Sequence, residues 1–377
     1  GPMRITIVQG AFLPVPATRG GAIEKAFHAL AKEFAAADHR VDYISRLCDD
    51  LPRQESESPN LRHIRIKGYD APRSLPKLKW LDLLYSLRAR RILPEADILV
   101  THTFWLPILA RNDRHGKLYV HVGRSPKGQM KFYRHAARLQ TVSSPIVRRI
   151  HQELPPKAHG LANRLPYPLD PAFLKPADHQ SPRDKTILFA GRIHPEKGLD
   201  LLICAYRNLP EQIQHQWKLK ILGPWRKEHG GAGSPYMESL RKLAEGTDIQ
   251  FMEPIFDQQL LVQEYDKASI FAYPSLAEQG ETFGLAALEA MSRGCLTLVS
   301  ELDCFKDFIA HGDNGFIFNH RDTNPTTVLA RHLSRLLETP EDLRPVAEKA
   351  IATAQAYSPA SVGKAFIKDF ECLLQTP

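Results

Sequence analysis

Cysteine is scarce and unpatterned in this chain: Cys48, Cys204, Cys295, Cys304 and Cys372 are odd in number and form no CxxC pair. A disulfide framework and a zinc knuckle are thereby excluded, and a reducing, cytoplasmic setting is expected. No window reaches the roughly 20 uncharged apolar residues of a membrane-spanning helix; even ADILVTHTFWLPILA is short and holds His102. MRITIVQG lacks the charged, apolar and small-residue segments of a secretory leader, so secretion is not expected. Gly1-Pro2 reads as the remnant of a protease cleavage, which puts the expected native start at Met3. The dinucleotide fingerprint GxGxxG is missing, as is any Asp-x-Asp to hold a divalent cation, so no metal site is expected. Acid is in short supply in the first half. Residues 1–170 carry 28 Lys and Arg against 15 Asp and Glu, whereas residues 171–377 carry 22 against 27. A basic half points to an anionic counterpart: a membrane surface, a phosphorylated acceptor or nucleic acid.

What is present is enough for two cores. The chain has 377 residues, 43% of them hydrophobic, which exceeds a single-core domain. RITIVQG, then apolar residues at helical spacing from Ile23 to Phe34, then Val41 to Ile44, make a βαβ unit. ADILVTH, KLYVHVG and RLQTVS are short apolar runs suited to strands buried on both faces. LPYPLDPAFLKPADHQSPRDK has five prolines and little periodicity, and reads as a linker. The pattern then restarts: KTILFAGR, WKLKILG, DIQFME, SIFAYPS and LTLVS as strands, with helical segments between them. The fold class is α/β, with two doubly wound Rossmann-like domains facing across a cleft lined by strand carboxyl ends.

Three segments carry chemistry. In GRIHPEKG the strand-to-helix turn sets Arg192 and Lys197 at the sheet's carboxyl edge beside backbone N–H groups, a place for a diphosphate. Gly20-Gly21, just ahead of the first helix, allow close backbone approach at a helix N-terminus. GETFGLAALEA sets Glu281 and Glu289 around a Phe-Gly pair. Glu281 is expected in the turn after SIFAYPS and Glu289 about two turns into the following helix; eight residues at about 100° each would bring Glu289 to within about 80° of Glu281 and about 12 Å along the axis, so the two acids could hold two parts of one elongated ligand. Carboxylates suit paired sugar hydroxyls.

Taken in order along nearly the whole chain, GRIHPEKG, PSLAEQGETFGLAALEAMSRG and the early Gly-Gly resemble the family-4 retaining glycosyltransferases of GT-B fold. The resemblance implies that Arg192 and Lys197 hold the donor diphosphate and that Glu289 holds the nucleotide ribose. Glu281, with the backbone of Thr282, Phe283 and Gly284, would meet the donor sugar and phosphate. Gly20 and Gly21 would approach the reacting centre, and His121 would contact the donor sugar, with His102 a lesser candidate. The base would lie against Glu253, Pro254 and Ile255. One departure concerns the loop Ala277-Glu278-Gln279-Gly280, which offers Glu278 as a rival first acid; Glu281 alone keeps the Phe-Gly neighbour and the spacing to Glu289. A second is the Gly-rich insert Gly223 to Tyr236, expected to be a mobile loop over the donor.

The domains implied are an acceptor-side domain at 3–170, a linker at 171–185, a donor domain at 186–356 and a crossover helix at 357–377 returning to the first domain. The reaction implied is metal-independent and retaining, with no other cofactor, and moves a hexose-type sugar from a nucleotide donor, UDP being commoner than GDP. The acceptor is a glycan, a lipid-phosphate-linked glycan or a small molecule. Lys77, Lys79, Arg88, Arg90 and Arg91 around WLDLLYSL, and Arg124, Lys127, Lys131, Arg134 and Arg138 after His121, suit an anionic membrane surface, hence a peripheral location at the inner face. Two other enzymes fit the same cleft, a nucleotide-sugar epimerase and a glycoside phosphorylase. A silent nucleotide-sugar binder is opposed by the intact Arg192, Lys197, Glu281 and Glu289. Nucleic-acid binding has the basic half in its favour but lacks a reading motif and stacking aromatics.

Overall fold

The computed structural model describes residues 1–177 and 182–375; residues 178–181 of the expected linker lie outside the described residues. The chain divides into two compact units, residues 1–168 with 359–377, and residues 169–358.

In unit 1 the apolar runs become strands β1 (Arg4–Val8), β2 (Arg40–Leu47), β3 (Gln54–Ser58), β4 (Leu61–Lys67), β5 (Ile98–Thr101), β6 (Lys117–Val122), β7 (Arg138–Thr141) and β8 (Ala162–Arg164). They form one sheet in the order β3-β4-β2-β1-β5-β6-β7-β8. All pair in parallel except β3, which runs antiparallel to β4. Parallel strands must be covered on both faces, and β1 and β5 are accordingly buried along nearly their whole length. Helix α1 (Ala22–Ala36) follows β1 and lays Phe27, Leu30, Ala31 and Phe34 on the sheet.

Helix α2 (Leu75–Arg91) inverts the usual amphipathic pattern. It buries Asp82, Tyr85, Ser86 and Ala89 and leaves Leu75, Trp80 and Leu87 exposed. The buried Asp82 serves as a cap for a neighbouring segment. Its two oxygens accept the backbone N–H of Phe104 (3.0 Å) and Trp105 (3.1 Å), groups that a short helix start leaves without intrahelical partners.

Unit 2 has strands β9 (Asp184–Ala190), β10 (Lys218–Leu222), β11 (Ile249–Met252), β12 (Ala268–Tyr273), β13 (Leu296–Ser300) and β14 (Phe316–Phe318) in the order β11-β10-β9-β12-β13-β14, all parallel. Helix α3 (Leu199–Arg207) follows β9, and α4 (Leu285–Ser292) precedes β13. Each sheet therefore has one place where the chain, having built outward on one side, starts again on the other: between β1 and β5 in unit 1, and between β9 and β12 in unit 2. Ligands of open α/β sheets bind at such switch points, outside the strand carboxyl ends.

The last helix, α5 (Pro359–Gln375), belongs to unit 1. Phe366 and Phe370 pack on Phe27, Phe34 and Tyr119. Asp369 takes a bidentate pair from Arg138 (2.8 and 3.1 Å) and the Tyr119 hydroxyl (2.8 Å). All three polar groups are largely out of water, so removing the acid strands a cation and a hydroxyl. Asp369→Ala should cost about 3 kcal/mol in urea denaturation, and Asp369→Asn clearly less; equal losses would deny the charge pair a role.

Candidate active site

The switch point of unit 2 is assembled by glycine. After β9 the turn GRIHPEKG ends at Gly198, with φ +73°, where a Cβ would meet the Pro274 carbonyl oxygen at 2.0 Å. Only a residue without a side chain lets this turn press against the end of β12. Lys197 is thereby carried into the interior, 6% exposed. Its Nζ donates to Glu281 Oε1 (2.8 Å) and to the hydroxyl of Tyr273 (3.0 Å), the last residue of β12. That hydroxyl in turn donates to the same Glu281 oxygen (3.0 Å). Burial, and then the Glu281 charge, hold the Tyr273 phenol far above its ordinary pKa, so it stays a neutral donor. The cluster joins one cation, one anion and one hydroxyl, contributed by the turn after β9 and by the end of β12 and the turn that follows it.

Arg192 lies in the same turn but is half-exposed. Its guanidinium donates to Glu196 Oε1 (2.8 Å) and to the Gly230 carbonyl (3.2 Å). The Gly230 contact belongs to the insert Gly223 to Tyr236, which also hydrogen-bonds the turn through Ile193 N to Pro224 O and Ala232 N to Ile193 O (both 2.9 Å). Arg226 of the insert pairs with Glu253 (3.6 Å) and stacks on Trp225, and His229 lies against Phe256. The insert thus bridges the GRIHPEKG turn and the segment holding Glu253, Pro254 and Ile255.

Glu281 is not helical. Gly284, with φ +93°, caps α4, whose first residue is Leu285, so the azimuthal argument built on eight helical residues fails. Glu281 is held outside the helix by Lys197, while Glu289 opens the second turn of α4. Phe283 packs into the core against Phe308 and Tyr357. The opening N–H groups of α4 lack intrahelical acceptors and carry the positive end of its dipole.

Unit 1 has its own constellation at the β1/β5 switch point. Gly20 (φ +86°) and Gly21 (φ +102°) lead into α1, and a Cβ on Gly21 would meet Glu24 Oε1 at 2.1 Å. Glu24 is 9% exposed. It accepts from Gln9 Nε2 (3.2 Å), and Gln9 Oε1 accepts from the Tyr43 hydroxyl (2.6 Å). Burial raises the Glu24 pKa. His121 donates from Nδ1 to Gln140 Oε1 (2.6 Å); the Gln140 orientation is set by its own bond to the Leu165 carbonyl (2.8 Å). Its Nε2 accepts from the Tyr167 hydroxyl (3.3 Å). Burial lowers the His121 pKa to about 4, so the ring is neutral at pH 7 with its lone pair on Nε2. His102, edge-on to Phe27 like His121, holds the Val8 carbonyl, and its Nε2 is shut away without a partner.

Residues 173–353 match the family described as "Glycosyl transferases group 1". This segment belongs to the group 1 glycosyl transferases. The serotype-specific mannosyltransferase WbdA of Escherichia coli is 29% identical over 203 residues, which is 53% of this chain and 23% of that protein. The curated relatives are matched over less than half of their own length. Over the whole chain, sucrose-phosphate synthase from Thermosynechococcus elongatus superposes with a TM-score of 0.75 at 20% identity, covering 99% of this chain and 100% of that one. HepE of Anabaena, solved in complex with UDP, superposes with a TM-score of 0.68 at 16% identity, covering 98% and 99%. The fold is GT-B.

In the lengthened loop the two acids have different partners. Glu278 is taken by Arg321 in a bidentate pair (2.7 and 2.9 Å) and by His320 (2.8 Å), whereas Glu281 is the acid on Lys197. Two residues of these clusters escaped sequence reasoning. Tyr273 reads as one more apolar position of a buried strand, and only its place at the strand's end could have marked it. Glu24, in GGAIEK, reads as an ordinary first-turn acid; the Gly immediately before the helix was the available signal.

A buried pair of opposite charges is much costlier to halve than to delete. Lys197→Met and Glu281→Gln should each destabilise unit 2 by about 3 kcal/mol, and the double variant should lose less than the sum of the two. Strict additivity in that double-mutant cycle, read by urea denaturation, would mean the two side chains are not coupled.

Proposed function

We propose that this protein is a retaining glycosyltransferase that moves a hexose-type sugar from a nucleotide-sugar donor, UDP-linked rather than GDP-linked, to a glycan or lipid-phosphate-linked acceptor without a divalent metal. The observation that carries the reading is the Lys197, Glu281 and Tyr273 cluster at the β9/β12 switch point, with Arg192 in the same turn and the N-terminus of α4 next in sequence. Breaking a sugar–phosphate bond builds charge on the leaving diphosphate. Lys197, Arg192 and the opening N–H groups of α4 would stabilise that charge electrostatically, the part a metal plays elsewhere.

Glu281, already fixed by Lys197 and Tyr273, would accept from a hydroxyl of the donor sugar, and Glu289 would accept from the ribose. Glu253, Pro254 and Ile255, tied to the insert by Arg226, would receive the base. His121, neutral, would serve the sugar as a hydrogen-bonding group and not as a cation, with His102 next to it, and Gly20 and Gly21 would approach the reacting centre. The acceptor would attack from the face the diphosphate leaves, giving its proton to that phosphate, so no enzymic nucleophile is required. Support for a uridine donor comes from the UDP complex of HepE.

Peripheral membrane attachment through α2 is part of the proposal. Exposed Leu75, Trp80 and Leu87 share the helix with Lys77, Lys79, Arg88, Arg90 and Arg91, an apolar and basic combination suited to an anionic interface. Among the described residues no helix is long and apolar enough to cross a membrane.

A thermal-shift panel of UDP, GDP, ADP and their sugar conjugates, with and without EDTA, tests the donor site. A uridine ligand at a hundredfold excess over Kd should stabilise the protein by about 2.7 kcal/mol, equally in EDTA, and Lys197→Ala with Glu289→Ala should abolish the shift. Near-normal transfer by that double variant would falsify the assignment, and an inverted anomer in the product, read by proton NMR, would dismiss retention. For the membrane, flotation with vesicles containing anionic phospholipid should carry the wild type upward, fail with neutral vesicles, and fall several-fold in Trp80→Ser with Leu87→Ser. Equal flotation of both proteins would rule α2 out.

A further inference from the structure

Strand β3 has no apolar side chain: its five residues are Gln54, Glu55, Ser56, Glu57 and Ser58. It sits at the edge of the unit 1 sheet, paired with β4 alone, so hydrophobic burial cannot hold it. Besides the ladder, it is held by side chains. Glu55 pairs with the buried guanidinium of Arg65 (3.0 Å). Glu57 places Oε1 2.7 Å from Nε2 of His28 on α1 and 2.7 Å from Nε2 of His63 on β4.

Three elements thus aim three ligand atoms at one point, all within 4.8 Å of one another. The rings are fixed by packing. His63 is wholly buried and stacked on Tyr43 (5.7 Å between centroids, 18° between planes), and His28 stands edge-on to it (5.7 Å, 75°). The His63 Nδ1 has no hydrogen-bond partner. No second bond therefore locks the tautomer of that ring, and Nε2 is able to carry either a proton or a metal. The remaining charged neighbour is Lys32, whose Nζ lies 3.9 Å from the other Glu57 oxygen and leaves Oε1 to the imidazoles.

We propose that His28, Glu57 and His63 bind a divalent transition-metal ion, with Zn2+ the expected occupant. Two imidazole nitrogens and one carboxylate oxygen are a donor set for Zn2+, Co2+ or Ni2+ and a poor one for Ca2+ or Mg2+, which take oxygen ligands. At bond lengths near 2.1 Å, tetrahedral ligand atoms lie about 3.4 Å apart. The 2.7 Å separations therefore have to open by less than 1 Å, which rotation of the partly exposed Glu57 side chain supplies. The two imidazole nitrogens, up to 4.8 Å apart, have to close by up to about 1.4 Å, which a shift of the His28 ring on α1 supplies. Water takes the fourth position on the exposed side of Glu57. The ion is structural: it pins the polar edge strand to α1 and to the sheet, and it belongs to unit 1, whereas the diphosphate proposed above belongs to unit 2.

The test uses the full chain stripped of metal with a chelator. Zn2+ is titrated in by calorimetry, and Co2+ is added in parallel to read its visible absorption. The wild type should take up one equivalent of Zn2+ with a rise in melting temperature, and the Co2+ spectrum should show nitrogen and oxygen ligation without thiolate charge transfer. His28→Asn and Glu57→Gln, both at partly exposed positions, should each weaken Zn2+ binding by at least about 100-fold, more than the loss of a group that only orients a ligand, while keeping the wild-type circular dichroism. If both variants bind as the wild type does, or the wild type binds no Zn2+, the three residues are a hydrogen-bonded trio and the proposal fails. Thiolate bands from Co2+ would place the ion on the free cysteines instead and would overturn it equally.

Discussion

The placement of the unit 2 cluster depends on one constraint: a parallel sheet that grows first to one side of its opening strand and then to the other leaves a gap between two strand ends. No crossover covers that gap, and the turns that flank it come from distant parts of the sequence. Lys197 and Glu281 are 84 residues apart in the chain and meet because β9 and β12 are neighbours. The contact needs a turn tight enough to reach the end of β12, which is why Gly198 stands against Pro274 with no room for a methyl group. In unit 1 the same logic puts Gly21 against Glu24 beside the ends of β1 and β5.

Electrostatically the two clusters differ. In unit 2 a cation and an anion neutralise each other in a place that water barely reaches, so the diphosphate proposed above would find an ammonium already desolvated and oriented, and little reorganisation would accompany charge development nearby. In unit 1 the titratable groups are driven toward neutrality by burial: the Glu24 pKa rises and the His121 pKa falls to about 4. Between about pH 6.5 and 4 an unfolded chain would bind the proton that folded His121 refuses. Unit 1 therefore loses stability from this group as pH falls through that range.

The parallel strands were legible because two-sided burial writes continuous apolar runs such as TILFA and SIFAY into the chain. Edge elements were not: β3 is wholly polar and β8 is three residues long, and neither leaves a periodic trace. The positions of the motif residues on their elements were legible through spacing: Arg192 and Lys197 in the turn after β9, Glu289 on α4. The turn position of Glu281 was legible as well, but its azimuth relative to Glu289 was not, since Gly284 delays the helix to Leu285. Contacts between elements far apart in sequence stayed hidden, among them the Tyr273 hydroxyl, the Glu278 fork with Arg321, and the convergence of His28 and His63. The exposed apolar stripe of α2 was hidden for another reason, because a helix that buries an acid to cap a neighbouring segment reverses the usual reading of which face is inside.

The return of α5 to unit 1 sets an order on folding. Phe27, Phe34 and Tyr119 belong to the first third of the chain, yet the rings that cover them, Phe366 and Phe370, arrive last. Arg138 and Tyr119 likewise wait for Asp369. A chain emerging vectorially from synthesis can complete the core of unit 2 while unit 1 still exposes an apolar strip along α1 and β6. The half of the molecule made first is thus the half finished last, and that strip is where a nascent chain would be open to chaperone capture or to pairing with another copy of itself.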